Sequence, residues 1–114
     1  MRRVYIFKGK FDNAYDGYIY KVGVASGKSS VDRLMQVQRS FFMAHRYTFF
    51  CNIIRDRSCD DAFAVETRLH KLFKGENFYH GKKFDGSTEF FKCEEDELLR
   101  AYDDLIALKG KKPP

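Results

Sequence analysis

The sequence has 114 residues, 44% hydrophobic and 17% aromatic, with 12 Phe and 7 Tyr: enough for one core, too aromatic for a disordered chain, and without an apolar run near the roughly 20 residues of a membrane span. Its net charge of +5 is uneven, with 11 Lys/Arg against 5 Asp/Glu in residues 1–60, 6 against 5 in 61–93 and 4 against 6 in 94–114, so a polyanion such as nucleic acid would be drawn to the first half. Three Cys, at 51, 59 and 93, are odd in number and lack Cys-x-x-Cys spacing, which argues against a disulfide scaffold or structural zinc and for a reducing, cytoplasmic-type compartment.

Residues 3–8 are β-branched or aromatic and predict a strand. Asn13, Asp16 and Gly17 then mark a turn, and residues 18–25 predict a second strand, antiparallel to the first. Ser29 or Ser30 can cap a helix over roughly 30–40. On that helix Val31, Leu34, Met35 and Gln38 share a face, and Arg33 is expected nearly opposite. Residues 46–55 predict a third strand. Asp60 or Asp61 opens a second helix, expected to run to about Lys74 and to close at Gly75. Residues 76–88 read as a polar loop, and Thr88–Lys92 as a short extended piece. Residues 94–109 predict a final helix, with Glu94, Glu95, Asp96 and Glu97 at its start and Lys109 near its end, as the helix dipole prefers. Leu98, Leu99, Tyr102, Leu105 and Ile106 form its apolar face.

The expected architecture is α+β: a small, mostly antiparallel three-stranded sheet flanked by helices, in the order β-β-α-β-α plus a C-terminal helix. With no linker or repeat, residues 1–110 read as a single domain followed by a short basic, Pro-containing tail at 111–114. The segment Met1–Lys8 turns charged again too soon for a signal peptide.

Advancing about 100° per residue along the second helix places Val65, Leu69 and Phe73 within roughly 60° of Ala62. Glu66 falls inside that buried stripe, and His70 falls on its edge one turn later. A carboxylate on a buried face must be hydrogen-bonded, ion-paired or metal-bound. A Glu66–His70 or Glu66–Arg pair would satisfy it; so would a divalent cation at the floor of a cleft. In the first hairpin, Tyr5 and Lys21 can lie side by side if the turn centres near Asp12-Asn13. A Lys ammonium beside a phenol favours the phenolate. Tyr, Lys and nearby Arg on a small sheet could hold a phosphodiester.

Five pieces in order carry a family resemblance: Val4-Tyr5-Ile6; Lys21-Val22-Gly23-Val24; Asp32-Arg33-Leu34 opening a helix; Val65-Glu66-Thr67-Arg68-Leu69-His70-Lys71-Leu72-Phe73; and Thr88-Glu89-Phe90-Phe91. Over about residues 3–92 the chain resembles the GIY-YIG nuclease superfamily, and looks most like its phage-associated branch of meiotically up-regulated-gene-type proteins. The resemblance implies a metal-dependent endonuclease that hydrolyses phosphodiester bonds in DNA. Tyr5 would help activate the attacking water, with Lys21 beside it. Gly23 would be the glycine of the second motif, Arg33 would contact the scissile phosphate, and Glu66 would hold one divalent ion, Mg2+ or Mn2+. His70 and Glu89 match positions typical of the branch. Arg3 stands where the first motif has Gly, Lys21 replaces the second motif's Tyr, and the Asn that many members use late in the domain has no counterpart placed here. Strand alternation puts Tyr20 on the opposite side from Lys21.

Lys28, Arg39, Lys82 and Lys83 are candidate contacts to a nucleic-acid backbone. The run Gly23-Val24-Ala25-Ser26-Gly27-Lys28-Ser29 imitates a phosphate-binding loop but has three residues between its glycines where the pattern needs four. His45 reads as a structural or surface residue, and His80 sits in a loop with Lys82 and Lys83, either touching phosphate or simply solvated; Cys59 and Cys93 have no neighbours that suggest a nucleophile, and Cys51 reads as a small core residue. The expected partner is DNA, with no membrane association, in the cytoplasm (the host's if the gene is a phage's). The competing reading is a catalytically weak or inactive nuclease-fold module that binds nucleic acid or a host protein.

Overall fold

The computed structural model describes residues 2–11, 18–46, 49–76 and 90–110. In chain order they form strand β1 (Arg2–Phe11), strand β2 (Ile19–Ser26), helix α1 (Val31–His45), strand β3 (Phe49–Ser58), helix α2 (Ala62–Leu72), a 3-10 turn at Lys74–Glu76, the two-residue strand β4 (Phe90–Phe91) and helix α3 (Glu95–Gly110). The expected α+β class holds. Phe90–Phe91, within the expected extended piece, form a fourth strand, so the sheet of the described residues runs β3-β1-β2-β4, antiparallel throughout.

β1 is central and covered on both faces, which explains why its sequence alternates so weakly. Val4, Tyr5, Ile6 and Phe7 are all fully buried. Tyr5 and Phe7 join Val37, Phe41 and Phe49 in a core under α1. Val4 and Ile6 join Val65, Leu69, Leu98 and Tyr102 in a second core under α2 and α3. The buried aromatics of the described residues thus pack in two cores separated by one sheet, while Tyr18, Phe42, Phe50 and Phe63 stay exposed. Gly9 has no room for a side chain: a Cβ there would overlap the Phe49 ring and lie 2.8 Å from Cys51 Cβ.

β3 pairs with β1 through a bulge. Phe7 opposes Ile53 but Ile6 opposes Arg55, leaving Ile54 as the extra residue. Beyond the bulge every β3 side chain changes face. Asp56 then opposes Tyr5 on the α1 side, and Arg55 opposes Ile6 on the α3 side, where it grips Asp103 of α3 at 2.9 and 3.1 Å.

The final helix buries the predicted face: Leu98 and Tyr102 fully and Ile106 nearly so. Tyr102 reaches across the core to donate its hydroxyl to the Val4 carbonyl of the central strand at 2.7 Å. Tyr102→Phe keeps the ring and strips the donor from a buried carbonyl, so urea unfolding should show a loss of about 1–2 kcal/mol. An unchanged midpoint would mean that the bond contributes nothing net.

Candidate functional site

The β1–β2 register pairs Tyr5 with Gly23 and Phe7 with Lys21. The hairpin is thus centred on residue 14 rather than on Asp12-Asn13, and the turn itself lies outside the described residues. Tyr5 and Lys21 are diagonal neighbours rather than directly opposed. They still share a face, because an even change of register preserves the side. Lys21 Nζ donates to Tyr5 Oη at 2.6 Å. Both residues are 0% exposed, and the Tyr5 ring stacks on Phe7 with centroids 4.0 Å apart. The pairing expected from the sequence therefore forms, but beneath α1 and shut off from solvent. Gly23 is buried in the same hairpin. Cys51 lies on this side too, and burial pushes its thiol up to about 12 against the opposing pull of Lys21. It is a neutral core group.

α1 corrects the expected orientation of Arg33. Its buried residues are Val37 and Phe41, while Val31 and Met35 are 46% and 61% exposed. The helix runs to His45, so Phe41 lies inside it and helps decide which face is buried. Arg33 precedes Val37 by one turn. It therefore lies on the flank of the buried face rather than nearly opposite it, and is half-buried. Its Nη1 donates to Gln36 Oε1 at 3.3 Å.

The start of α1 is fixed by a residue that the sequence reading passed over. Ser30, the N-cap, makes no cap bond with its side chain. Instead its N–H and its hydroxyl both donate to Asp56 Oδ2 at 2.9 Å. Arg3 Nε donates to the other oxygen, Oδ1, at 2.6 Å. Arg3, the departure from the first motif, thus has a structural partner. The one signal in the sequence was a carboxylate between Arg55 and Arg57 in a strand. Burial pushes the Asp56 carboxyl up, but Arg3 and the two Ser30 donors outweigh it and hold the group below the ordinary aspartate value. The folded state then takes up this proton less readily than the unfolded chain. Its stabilisation is complete above about pH 4 and is lost as pH falls further, through the lower folded value. Glu95, held down by Lys8 and Tyr20, and Asp103, held down by Arg55, act in the same direction. Their side chains are 34% and 45% exposed, so solvent screening reduces their share. Thermal melts from about pH 7 to pH 2 should be flat and then fall below about pH 4, and Asp56→Asn should flatten part of that fall. Superimposable profiles would remove Asp56 from the account.

On α2 the predicted stripe is as expected: Ala62, Val65, Leu69 and Phe73 are buried. Glu66 and His70 lie on one side of that stripe and are half-buried. His70 Nε2 lies 2.9 Å from the Val22 carbonyl oxygen of β2, and its ring tilts over Phe91 at 5.2 Å. Among the described residues β4 pairs with β2 at Tyr20–Phe91 and Lys21–Phe90, and His70 meets β2 at the next residue, Val22. The sheet divides the expected site: Tyr5, Lys21 and Arg33 lie on the α1 side, and Glu66 and His70 on the α2 side. Among the described residues no group of three or more His, Cys, Asp or Glu is gathered for a metal. The donor set at Glu66 suits an ion held by one or two protein ligands and completed by water and phosphate oxygens.

Lys28 and Arg39 are exposed, as backbone contacts require. Lys82, Lys83, His80 and Glu89 lie outside the described residues. A second cluster, also unforeseen, gathers where β1, β2 and α3 meet. Tyr20 Oη and Lys8 Nζ reach the same Glu95 oxygen at 2.9 and 2.6 Å. Burial first, and Glu95 second, push the Tyr20 phenol up. This confirms that Tyr20 faces away from Lys21. Among the described residues no helix is long and apolar enough to cross a membrane.

The sequence model of the T5orf172 domain matches residues 2–106. No curated protein and no solved structure matches the chain.

Proposed function

The chain belongs to the T5orf172 domain family, a phage-associated domain, and from that premise we propose that it is a metal-dependent endonuclease hydrolysing phosphodiester bonds in DNA. The observation that carries the reading is the half-exposed Glu66–His70 side of α2, pinned by His70 to the Val22 carbonyl of β2. A half-exposed carboxylate on that flank is open to solvent and can hold a cation. Glu66 would hold one Mg2+ or Mn2+. When bound, such an ion neutralises the phosphate and stabilises the leaving oxygen. Arg33, on the helix that follows β2, would offer its planar fork to the non-bridging oxygens. Asp56 would fix the first turn of that helix through Ser30, and so the reach of Arg33. Lys28, in the exposed turn between β2 and α1, would meet the backbone of the same strand of DNA. The excess of positive charge in residues 1–60 would draw the duplex to this side.

One observation favours a second reading, a nuclease-fold module that binds nucleic acid or a host protein without cutting. The hydroxyl of Tyr5, assigned to water activation by resemblance, accepts its bond from Lys21 in the sealed core.

Supercoiled plasmid and branched DNA, incubated with the protein in Mg2+, in Mn2+ and in EDTA, separate the two readings. Nicking that requires the metal supports the endonuclease. Binding that weakens steeply with salt, without cleavage in either metal, selects the non-cutting module. No binding at low salt overturns both nucleic-acid readings.

A further inference from the structure

Resting on the reading of Glu66 as a metal-holding carboxylate, we propose that His70 Nδ1 is a second ligand of that ion. The site would then be a mixed nitrogen–oxygen pair that prefers Mn2+, Zn2+ or a similar cation to Mg2+.

The argument starts from one hydrogen bond. A carbonyl oxygen can only accept, so the 2.9 Å contact between His70 Nε2 and the Val22 oxygen places the ring proton on Nε2. A neutral imidazole carries one N–H, which leaves Nδ1 with its lone pair. Metal-ligating histidines commonly donate the other ring N–H to a backbone carbonyl in this way, which fixes the ring and raises the basicity of the ligating nitrogen. Here the carbonyl belongs to β2, so the sheet backbone itself holds the ring in place.

Position supports the same conclusion. Glu66 and His70 are four residues apart on one helix, with their Cβ atoms about 6 Å apart, near enough for two side chains to share one ion. Both are half-exposed, so an ion can reach them from solvent. The Phe91 ring packs on His70 and restrains its rotation. The remaining coordination positions would be taken by water or phosphate oxygens. Mg2+ binds oxygen and gives up water reluctantly, whereas imidazole suits the later first-row metals. A carboxylate-only site would show no such preference for them through His70.

The test uses the whole 15N-labelled protein at about pH 8, where histidine is neutral. The ring nitrogens of the three histidines are followed while Zn2+ or Mg2+ is added, and His70 is assigned from the spectrum of His70→Phe. That variant keeps an aromatic ring against Phe91. The expected result is the Nε2–H form before metal, a Zn2+-dependent shift at His70 Nδ1, and Zn2+ affinity at least about tenfold weaker in both His70→Phe and Glu66→Gln. A proton found on Nδ1 in the wild-type spectrum overturns the proposal without recourse to any variant. Zn2+ binding that is lost in Glu66→Gln but leaves the His70 ring signals unmoved overturns it too, while the Glu66 reading stands. No binding of either metal overturns both.

Discussion

Glu66→Ala should leave a folded protein that no longer cuts DNA. The carboxylate sits on the flank of the α2 stripe, half-buried, while Val65 and Leu69 carry the packing. Removing it should change unfolding free energy by no more than about 1 kcal/mol. The loss in rate should be far larger. A bound cation supplies several kcal/mol of charge stabilisation to a phosphoryl transition state, and about 4 kcal/mol corresponds to a thousandfold. Plasmid nicking measured beside a thermal melt reads both quantities. Equal cleavage by the variant and the parent would place the activity in another site or in a contaminant. Loss of cleavage together with a collapsed melting transition would make Glu66 a structural group and remove its chemical assignment.

The buried Tyr5–Lys21 pair should dominate stability. Tyr5→Phe keeps the ring and its stack on Phe7 but takes one acceptor from a fully buried lysine head. This should cost about 2–3 kcal/mol. Lys21→Met keeps much of the stem's volume and leaves a buried phenol one partner short, for about 1–3 kcal/mol. The double variant loses their mutual contact only once, so its loss should be smaller than the sum of the single losses, with a coupling of at least about 1.5 kcal/mol in the cycle. Denaturant unfolding of the four proteins decides the matter. Additive single effects would show that the 2.6 Å contact contributes little of its own. The same set carries functional information. Cleavage surviving in Tyr5→Phe would exclude the phenol from water activation and point to a base elsewhere.

Some of the site was readable because it depends on local spacing. Glu66 and His70 fall where a helix of 3.6 residues per turn puts them, and the buried stripe of α2 is the predicted one. Tyr20 faces away from Lys21 because strand side chains alternate, whatever the register. Tyr5 and Lys21 share a face for the same reason, although the hairpin is centred on residue 14. Arg33 was misread because Val31, Leu34, Met35 and Gln38 form one amphipathic face while Leu34, Val37 and Phe41 form another. Local pattern cannot rank two such faces when the helix end is uncertain.

What the sequence determined by itself was the class of fold, the order of its elements, the inward side of α2 and the apolar face of α3. Each follows from periodicity and composition within one segment. Only the tertiary structure decided that β1 is the central strand, that the sheet separates Tyr5 and Lys21 from Glu66, and that Asp56 rather than a serine hydroxyl anchors the start of α1. The physical reason lies in pairing between distant segments. One extra residue at Ile54 turns Asp56 toward Ser30 and Arg55 toward Asp103, and a bulge is fixed by the strand opposite rather than by the residues that form it.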